Sequence, residues 1–315
     1  MAIATAETVS GTATSASSVA TASWTPAAND LILVWVACRL GVTVSSVSGN
    51  GITFAQVLSD TEGTQAQCTL SLWRGMSSSP SAGQITATLS GTANAAVIVA
   101  HRITGADTGG TNGSGAIGAG AIANTGAKDT ASPSVDVTTT AANSRVYGGA
   151  THRNQTYTVG AGETAISLNI TAGTADDVTS ISTEYQDVAT PSSVTINGTL
   201  TSATDWIQGA VEILAAIPTV TADATILPSG DTLSGAAAVA VQAGGTLAPG
   251  GDTLSGAAAV AVQAGAASLT QGADVLSADG TRGVAFAPWA QHTFPITADD
   301  LSRTARRDTT FVIEA

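Results

Sequence analysis

Apolar and polar residues alternate with a period of two along several stretches of the first 216 residues. In residues 85–90, Ile, Ala and Leu alternate with Thr, Thr and Ser, and the same alternation recurs in residues 166–170 and 194–200. This is the period of a β-strand with one face toward the core and one toward solvent. The pattern therefore predicts half-buried strands, and no stretch here sustains a helical repeat over a dozen residues.

Other stretches are apolar at nearly every position. Residues 31–38 and most of residues 95–100 are of this kind, which is typical of central strands covered on both faces. Clusters of Gly, Ser, Asn and Pro at residues 48–51 and 77–83 separate the runs and indicate turns. Residues 205–216 fit either a helix or a last strand, and the Gly-rich residues 104–130 predict a long surface loop. We expect an all-β fold, a β-sandwich or a jelly-roll, over residues 1–216.

Residues 217–280 contain a repeat with a period of 21. Residues 230–244 read GDTLSGAAAVAVQAG, residues 251–265 are identical to them, and a diverged third copy begins at Ala273. Each copy predicts a turn at Gly-Asp followed by a short strand with a thin Ala/Val face. Because such a face buries little apolar area, the repeats need stacked neighbours, in the same chain or in other chains.

Residues 281–315 form a third segment with a different composition, which we expect to be an extended C-terminal arm for attachment or assembly. Its four Arg and four acidic residues balance each other, and its last residues have strand propensity. Guanidinium groups suit carboxylates on a partner, and an unpaired strand can extend a neighbour's sheet. The alternative is that the arm folds back onto its own chain. The predicted partner-binding residues are Arg303, Arg306, Arg307, Phe311, Val312 and Ile313.

Composition and charge exclude several classes of protein. The 315-residue chain carries a formal net charge of −13, so we expect no nucleic-acid binding. No apolar run approaches the length of a membrane span. Residues 1–20 contain no Lys or Arg and no apolar core, so no secretory signal is predicted there. A Gly/Ser/Thr/Ala-rich β sequence with almost no Lys is typical of an outside surface. Without an export signal, one route to such a surface is assembly in the cytoplasm into a particle that leaves by lysis.

Few residues offer candidate chemistry, and no catalytic residue, cofactor site or metal site is predicted. The three histidines have no metal-ligand spacing, and we expect each at the surface or at a strand end: His101, His152 and His292. No GxSxG motif is present. Residues 113–118 match GxGxxG but lie in a Gly-rich loop without the strand and helix that nucleotide binding needs.

Acidic, aromatic and sulfur-containing residues leave alternatives open. The pairs Asp176-Asp177 and Asp299-Asp300, and the Gly-Asp turn in residues 250–254, are solvated turns or calcium ligands. Cys38 and Cys68 are separate buried thiols or a disulfide bridge. Some aromatic residues either stack on sugar rings or belong to the core: Trp24, Trp73, Trp206, Tyr157 and Tyr185.

Several motifs together resemble structural proteins of tailed bacteriophages. They are the apolar strand in residues 29–40, the VSGNGITF hairpin in residues 47–54, Leu72-Trp73, ITGAD in residues 103–107, WIQGAVEI in residues 206–213, the DTLSG repeats and the RDTTFVIEA ending. The resemblance implies a sandwich fold and a virion component, and it carries over no site residues. We therefore expect a non-enzymatic protein of the virion surface, a head decoration or a fibre. The alternative is a tail-borne adhesin that binds host glycan.

The expected partners follow from that assignment. They are other capsid or tail proteins and further copies of this chain, with a homotrimer preferred by analogy with phage surface proteins. Host glycan is a further candidate under the adhesin alternative.

Overall fold

The structure is a computed structural model that describes residues 2–62, 68–126 and 129–216, together with six short strands farther along the chain. The chain divides into two compact units, Met1–Ala216 and Ile217–Ala315. The described residues form strands, turns and two single turns of 3₁₀ helix, Ser114–Ala116 and Ala175–Asp177, so the predicted all-β fold is confirmed.

The first sheet of unit 1 has six strands in the order β1-β6-β2-β5-β4-β3. β3 also pairs with the first half of β6, so β6, β2, β5, β4 and β3 close into a ring. The strand bounds are β1 (Ala4–Ala20), β2 (Leu31–Arg39), β3 (Val44–Gly49), β4 (Ile52–Thr61), β5 (Cys68–Gly75) and β6 (Ile85–Thr104).

β2 is the central strand that the unbroken apolar run predicts. All nine of its residues are buried, and its side chains alternate between two different clusters. Trp35 and the other odd-numbered apolar residues face the second sheet, and Val34 and the other even-numbered residues join a cluster to which every strand of the ring contributes. Both faces of this strand are covered by other side chains, so apolar residues are favoured at every position, which explains the unbroken apolar run.

The second sheet has five strands and packs face to face against the first. Its order is β11-β12-β9-β14-β7, and the largest apolar cluster combines side chains from both sheets. The bounds are β7 (Ile117–Asn124), β9 (Ser144–His152), β11 (Thr164–Ala172), β12 (Thr179–Val188) and β14 (Trp206–Ile213).

A third sheet covers the other face of the second sheet. It has three strands in the order β10-β13-β8, with bounds β8 (Ser134–Thr138), β10 (Tyr157–Val159) and β13 (Ser193–Leu200). Val137 and Ile196 pack there against Val146, and Leu200 packs near Trp206. Unit 1 is therefore a sandwich with an extra layer. The jelly-roll alternative is not confirmed by this strand order.

Three local predictions can be compared with the structure. Residues 205–216 contain strand β14, not a helix. Residues 104–130 are not a loop throughout, since they contain edge strand β7. The alternation in residues 166–170 is interrupted, because Asn169 has a φ of 55° and a register shift separates Ser167 from Ile170. The irregularity leaves Leu168 36% exposed.

The β3–β4 hairpin forms where the VSGNGITF motif predicts it. Asn50 and Gly51 occupy the turn with φ values of 53° and 64°, the conformation for which Asn-Gly is best suited. The Asn50 amide nitrogen donates to the carbonyl oxygens of Trp24, Ser81 and Gly83 at 3.0, 2.9 and 3.2 Å. The turn thereby fixes the loop that precedes β6.

Leu40 adopts a backbone conformation that leucine rarely takes. It lies in the β2–β3 turn with a φ of 58° and a side chain 46% exposed. Because a bulky residue at positive φ is strained, we expect Leu40→Asn to raise the free energy of unfolding by about 1 kcal/mol. Urea unfolding measures this change. Leu168→Asn is the matched control at an exposed leucine without positive φ, and an equal gain in both variants would contradict the explanation.

Unit 2 contains short strands in which the repeats stack on each other. The bounds are β15 (Thr232–Ser234), β16 (Ala240–Gln242), β17 (Thr253–Gly256), β18 (Ala261–Gln263), β19 (Asp274–Ala278) and β20 (Thr310–Ile313). β15 pairs with β17, and β16 with β18, both in parallel. Thr232 lies opposite Thr253 and Ala240 opposite Ala261, which is an offset of one 21-residue period.

The diverged third copy continues the stack. β19 pairs in parallel with β17, with Leu276 opposite Leu254, and β20 adds to β19 in the antiparallel direction. The expected stacking of the repeats therefore occurs within the chain. Each complete repeat contributes two strands, of which the one at Thr-Leu-Ser is not anticipated by the Ala/Val pattern.

Candidate functional site

The predicted partner-binding residues fall into two groups in the structure. Arg303, Arg306 and Arg307 lie outside the described residues. Phe311, Val312 and Ile313 belong to β20, which is hydrogen-bonded to β19. The expectation that this strand is unpaired is therefore wrong, because the chain supplies a partner itself.

β20 is nevertheless the last strand in the described order β15-β17-β19-β20. Within the strands that the structure describes, only one of its two edges is paired. Main-chain groups on the other edge are the kind of surface to which a partner strand adds. Binding of a partner there stays a prediction.

A buried polar cluster lies between the second and third sheets. Even-numbered positions of β9, β12 and β14 face the third sheet, and several of them are polar. The cluster consists of His152, Tyr157, Ser182, Glu184 and Gln208.

Glu184 is the central residue of this cluster. It is fully buried, and its Oε1 accepts hydrogen bonds from the Tyr157 hydroxyl at 2.7 Å and from Nε2 of Gln208 at 2.9 Å. Its neighbour across the β9–β12 pair is Gly148, where a Cβ atom would come within 3.0 Å of the Glu184 side chain. The absence of a side chain at that position gives the carboxyl group its space. Burial raises the pKa of Glu184 to about 8.

Tyr157 and His152 form the aromatic part of the cluster. Their rings stack with centroids 5.8 Å apart, and Nε2 of His152 is 3.2 Å from the Ser182 hydroxyl. Burial lowers the pKa of His152 to about 4, so the ring is neutral at physiological pH. Burial, and then the charge of Glu184, raise the pKa of Tyr157. In this conformation the cluster can hold two sheets together and bind a proton, but substrate cannot reach it.

Glu212, on the same face of β14, has the opposite environment. Its carboxylate accepts main-chain hydrogen bonds from Ala119 at 3.1 Å, Thr140 at 2.9 Å and Ala141 at 3.0 Å, and one from the Thr140 hydroxyl at 2.8 Å. Although burial alone would raise its pKa, these donors outweigh burial and lower it. Glu212 is therefore an ionised anchor for β7 and the loop before β9.

Glu212 also explains the Gly-rich match in residues 113–118. A Cβ atom at Gly118 would lie 2.4 Å from Oε2 of Glu212, and the segment continues into β7. The last glycine of GxGxxG thus makes room for a carboxylate and is followed by a strand. The dinucleotide-binding fingerprint requires a helix at this point, and the chain has strand β7 there.

Two arginines converge on one carbonyl group at the end of β2. Nη2 of Arg39 and Nη2 of Arg153 donate to the carbonyl oxygen of Asp176 at 2.7 and 3.1 Å. Arg153 also pairs with Asp205 at 3.4 Å. Asp176 and Asp177 are exposed in a single 3₁₀ turn, so they lie in a solvated turn. The two arginines hold this turn through the main-chain carbonyl group of Asp176.

The tryptophans that could stack on sugars are core residues. Trp24, Trp73 and Trp206 are 6–8% exposed, and Tyr157 is buried as well. Tyr185 is half-buried, and the Arg145 guanidinium lies 3.8 Å from the centre of its ring. These aromatic residues therefore offer no open face to a sugar in this conformation.

The remaining candidates have structural positions. His152 is the last residue of β9, as expected for a strand-end position, whereas His101 lies inside β6, so the expectation is wrong for His101. Both side chains are buried. Nδ1 of His101 is 2.9 Å from the Thr8 hydroxyl, and burial lowers its pKa to about 3. Cys38 and Cys68 are separate buried thiols, as one alternative holds. His292 and Asp299-Asp300 lie outside the described residues, as does Gly250-Gly251-Asp252.

Sequence analysis missed Glu184, Gln208 and the anchoring role of Glu212. A signal is present in β14, where residues 207, 211 and 213 are apolar and the intervening face carries Gln208 and Glu212. A polar face normally indicates solvent. Here the third sheet covers the polar face of β14 and buries Gln208 and Glu212, and the residue pattern of β14 does not indicate that cover.

In the part of the chain that the structure describes, no three His, Cys, Asp or Glu side chains are grouped so that they could hold a metal ion. No helix among the described residues has the length and apolarity needed to cross a membrane. Comparisons of the chain with protein-family models, curated proteins and solved structures find no match.

Proposed function

We propose that the protein is a non-enzymatic structural component of a tailed-phage particle, displayed on the particle surface as a head decoration or a fibre. The observation that carries the proposal is the in-register stack of near-identical repeats in unit 2. β15 and β17 pair residue for residue at an offset of one period, as do β16 and β18. Repeats that stack through the main chain extend a structure in one direction without needing specific side-chain chemistry.

The polar interior of unit 1 supports a structural role as well. Glu212 is occupied by main-chain donors, and Glu184 and Gln208 bond to each other and to Tyr157. The buried side chains of Glu184 and Glu212 thus join sheets and loops. The resemblance of the strand motifs and of the C-terminal residues to phage structural proteins supplies the assignment to a virion.

Other virion proteins and further copies of this chain are the proposed partners, with a trimer as the preferred assembly. The proposed contact surface is the open edge of β20, together with the arginines that precede it in sequence. The glycan-binding alternative has less support, because the tryptophans that could have formed a sugar platform are buried.

The proposal predicts that intact particles carry the protein on their outside. Particles released by lysis of the producing cells are purified on a density gradient and labelled with gold-conjugated antibodies against residues 1–216. We expect label on the particle exterior, and pre-incubation of the antibodies with the purified protein should abolish it. Label confined to disrupted particles, or found only in the soluble fraction, would contradict surface display.

A further inference from the structure

The third sheet is held against the second partly by two carboxyl groups that have no cation between them. Glu184 projects from β12 toward the third sheet, and Glu163 lies in the turn between β10 and β11. The two side chains interact, since burial and then the neighbouring Glu163 carboxylate raise the pKa of Glu184. Among the described residues, no arginine or lysine forms an ion pair with either.

Glu163 is the member of the pair that must stay ionised. Its Oε1 accepts the main-chain N–H of Asn197 at 2.8 Å, and its Oε2 accepts that of Gly160 at 3.2 Å. Asn197 belongs to β13, so this carboxylate connects the β10–β11 turn to the third sheet. Burial raises the pKa of Glu163, but both of its oxygens accept main-chain N–H groups, which favours the charged form and makes Glu163 the more acidic member of the pair.

Glu184 is the member that must hold the proton. Oε1 accepts from Tyr157 and Gln208, whereas Oε2 is buried and accepts no hydrogen bond. A proton on Oε2 would turn it into a donor toward Glu163. Two adjacent carboxylates in such a site repel each other, so one shared proton is the favourable state.

We propose that Glu163 and Glu184 share one proton and thereby form a pH-sensitive latch, which holds the β10–β13 edge of the third sheet on the second sheet and releases it in alkaline solution. Release begins when hydroxide removes the shared proton as water and leaves two neighbouring carboxylates. The movement would expose the apolar contacts of Tyr157 and Leu200 beneath that edge.

When Glu184 loses its proton, the pair carries two negative charges. No group of the described residues that faces the pair from a neighbouring element supplies a positive charge to balance the second one. β9 contributes His152, which contacts the cluster by stacking on Tyr157 and is neutral above pH 4. β10 contributes Tyr157, whose pKa is raised, and β14 contributes the uncharged Gln208. β13 contributes the Asn197 main chain, which already serves Glu163.

The direction of the pH response follows from the titration of Glu184. Its pKa is about 8 in the folded protein, against an ordinary value of 4.5. Between these values the folded state binds a proton that the unfolded state has lost, so folding weakens as pH rises toward 8 and levels off above it. Within this window the folding equilibrium constant falls by at most about tenfold per pH unit. Because the latch holds the β10–β13 edge of the third sheet, we expect the structure to open first at β10 and β13.

Hydrogen exchange of the full-length protein at pH 6 and pH 9 tests the latch. Rates are divided by the intrinsic rates at each pH to give protection factors. We expect protection in β10 and β13 to fall at least about tenfold at pH 9, while β2 and β5 change much less. Glu184→Gln, which keeps the shape and loses the titration, should abolish that difference.

Asp187→Asn is the matched control, because Asp187 is an exposed acid on the same strand as Glu184. This variant should respond to pH as the wild type does. The latch would be overturned by unchanged protection in wild-type β10 and β13, by an equal loss in all sheets, or by the same loss in Glu184→Gln.

Discussion

Gly149→Val should destabilise the protein by more than about 3 kcal/mol, the largest effect we expect from a single added side chain. Gly149 in β9 and Gly209 in β14 lie opposite each other, and the Trp35 indole packs across both. A Cβ atom at Gly149 would come within 2.6–2.8 Å of three indole atoms. Trp35 is fully buried at the centre of the main core, so the ring has no space into which it can move.

Urea unfolding of the full-length chain, followed by tryptophan fluorescence, measures this effect. Gly91→Val is the matched control, because a Cβ atom added at this position of β6 would have no other atom within 4 Å. Valine suits an exposed strand position, so the control should be neutral or slightly stabilising. A loss below about 1 kcal/mol for Gly149→Val would show that the sheets do not pack through this indole.

Glu212→Gln should cost about 3 kcal/mol, because the carboxylate is a buried acceptor for several donors. A Gln side chain offers one acceptor oxygen and directs an NH₂ group at main-chain N–H groups that now donate to Glu212. The pKa of Glu212 is lowered, so its contribution is present above the unfolded value of 4.5 and is lost as pH falls through the lower folded value.

The difference between wild type and Glu212→Gln should therefore be large at pH 7 and shrink as the pH falls below 4.5 through the lowered pKa of the folded protein. Urea unfolding of both proteins at pH 7 and at a pH below 4.5 measures this difference in the free energy of unfolding. Glu7→Gln is the control, since Glu7 is 42% exposed and pairs with Arg102 at 3.5 Å, which predicts a change of about 0.5 kcal/mol. Equal effects for Glu7→Gln and Glu212→Gln at pH 7 would contradict the anchoring role.

The strands of unit 1 were predictable where one physical requirement determines the residues. Residues 31–38 had to be a doubly covered strand, because nothing polar interrupts them, and β2 meets that expectation on both faces. The Asn-Gly turn was predictable for a similar reason, since positive φ at two successive positions selects those residues. Local chemistry was sufficient in both cases.

Prediction failed where a distant layer decides the environment. The face of β14 that carries Gln208 and Glu212 has the composition of a wet face, yet both residues are fully buried beneath the third sheet. Leu168 shows the reverse, because an irregular pairing around Asn169 exposes a residue that alternation places inside. Neither the covering sheet nor the register shift is encoded in the neighbouring residues.

The period of the repeats was sufficient to predict that they stack, but not whether they stack within one chain or between chains. A period of 21 and a thin apolar face were enough to predict stacking, and the parallel register at that offset agrees with it. The choice between stacking within one chain and stacking between chains depends on the connections, which an Ala/Val pattern does not specify.

The most direct test of the proposed virion role is the number of copies of this chain in each purified particle. Quantitative mass spectrometry against isotope-labelled peptides from residues 1–216, referenced to the major capsid protein, gives that number. The proposal predicts a fixed ratio that survives high-salt washing of the gradient-purified particles, with hundreds of copies for a head decoration and a few for a fibre. Loss of the protein from washed particles, or a ratio that varies between preparations, would contradict it.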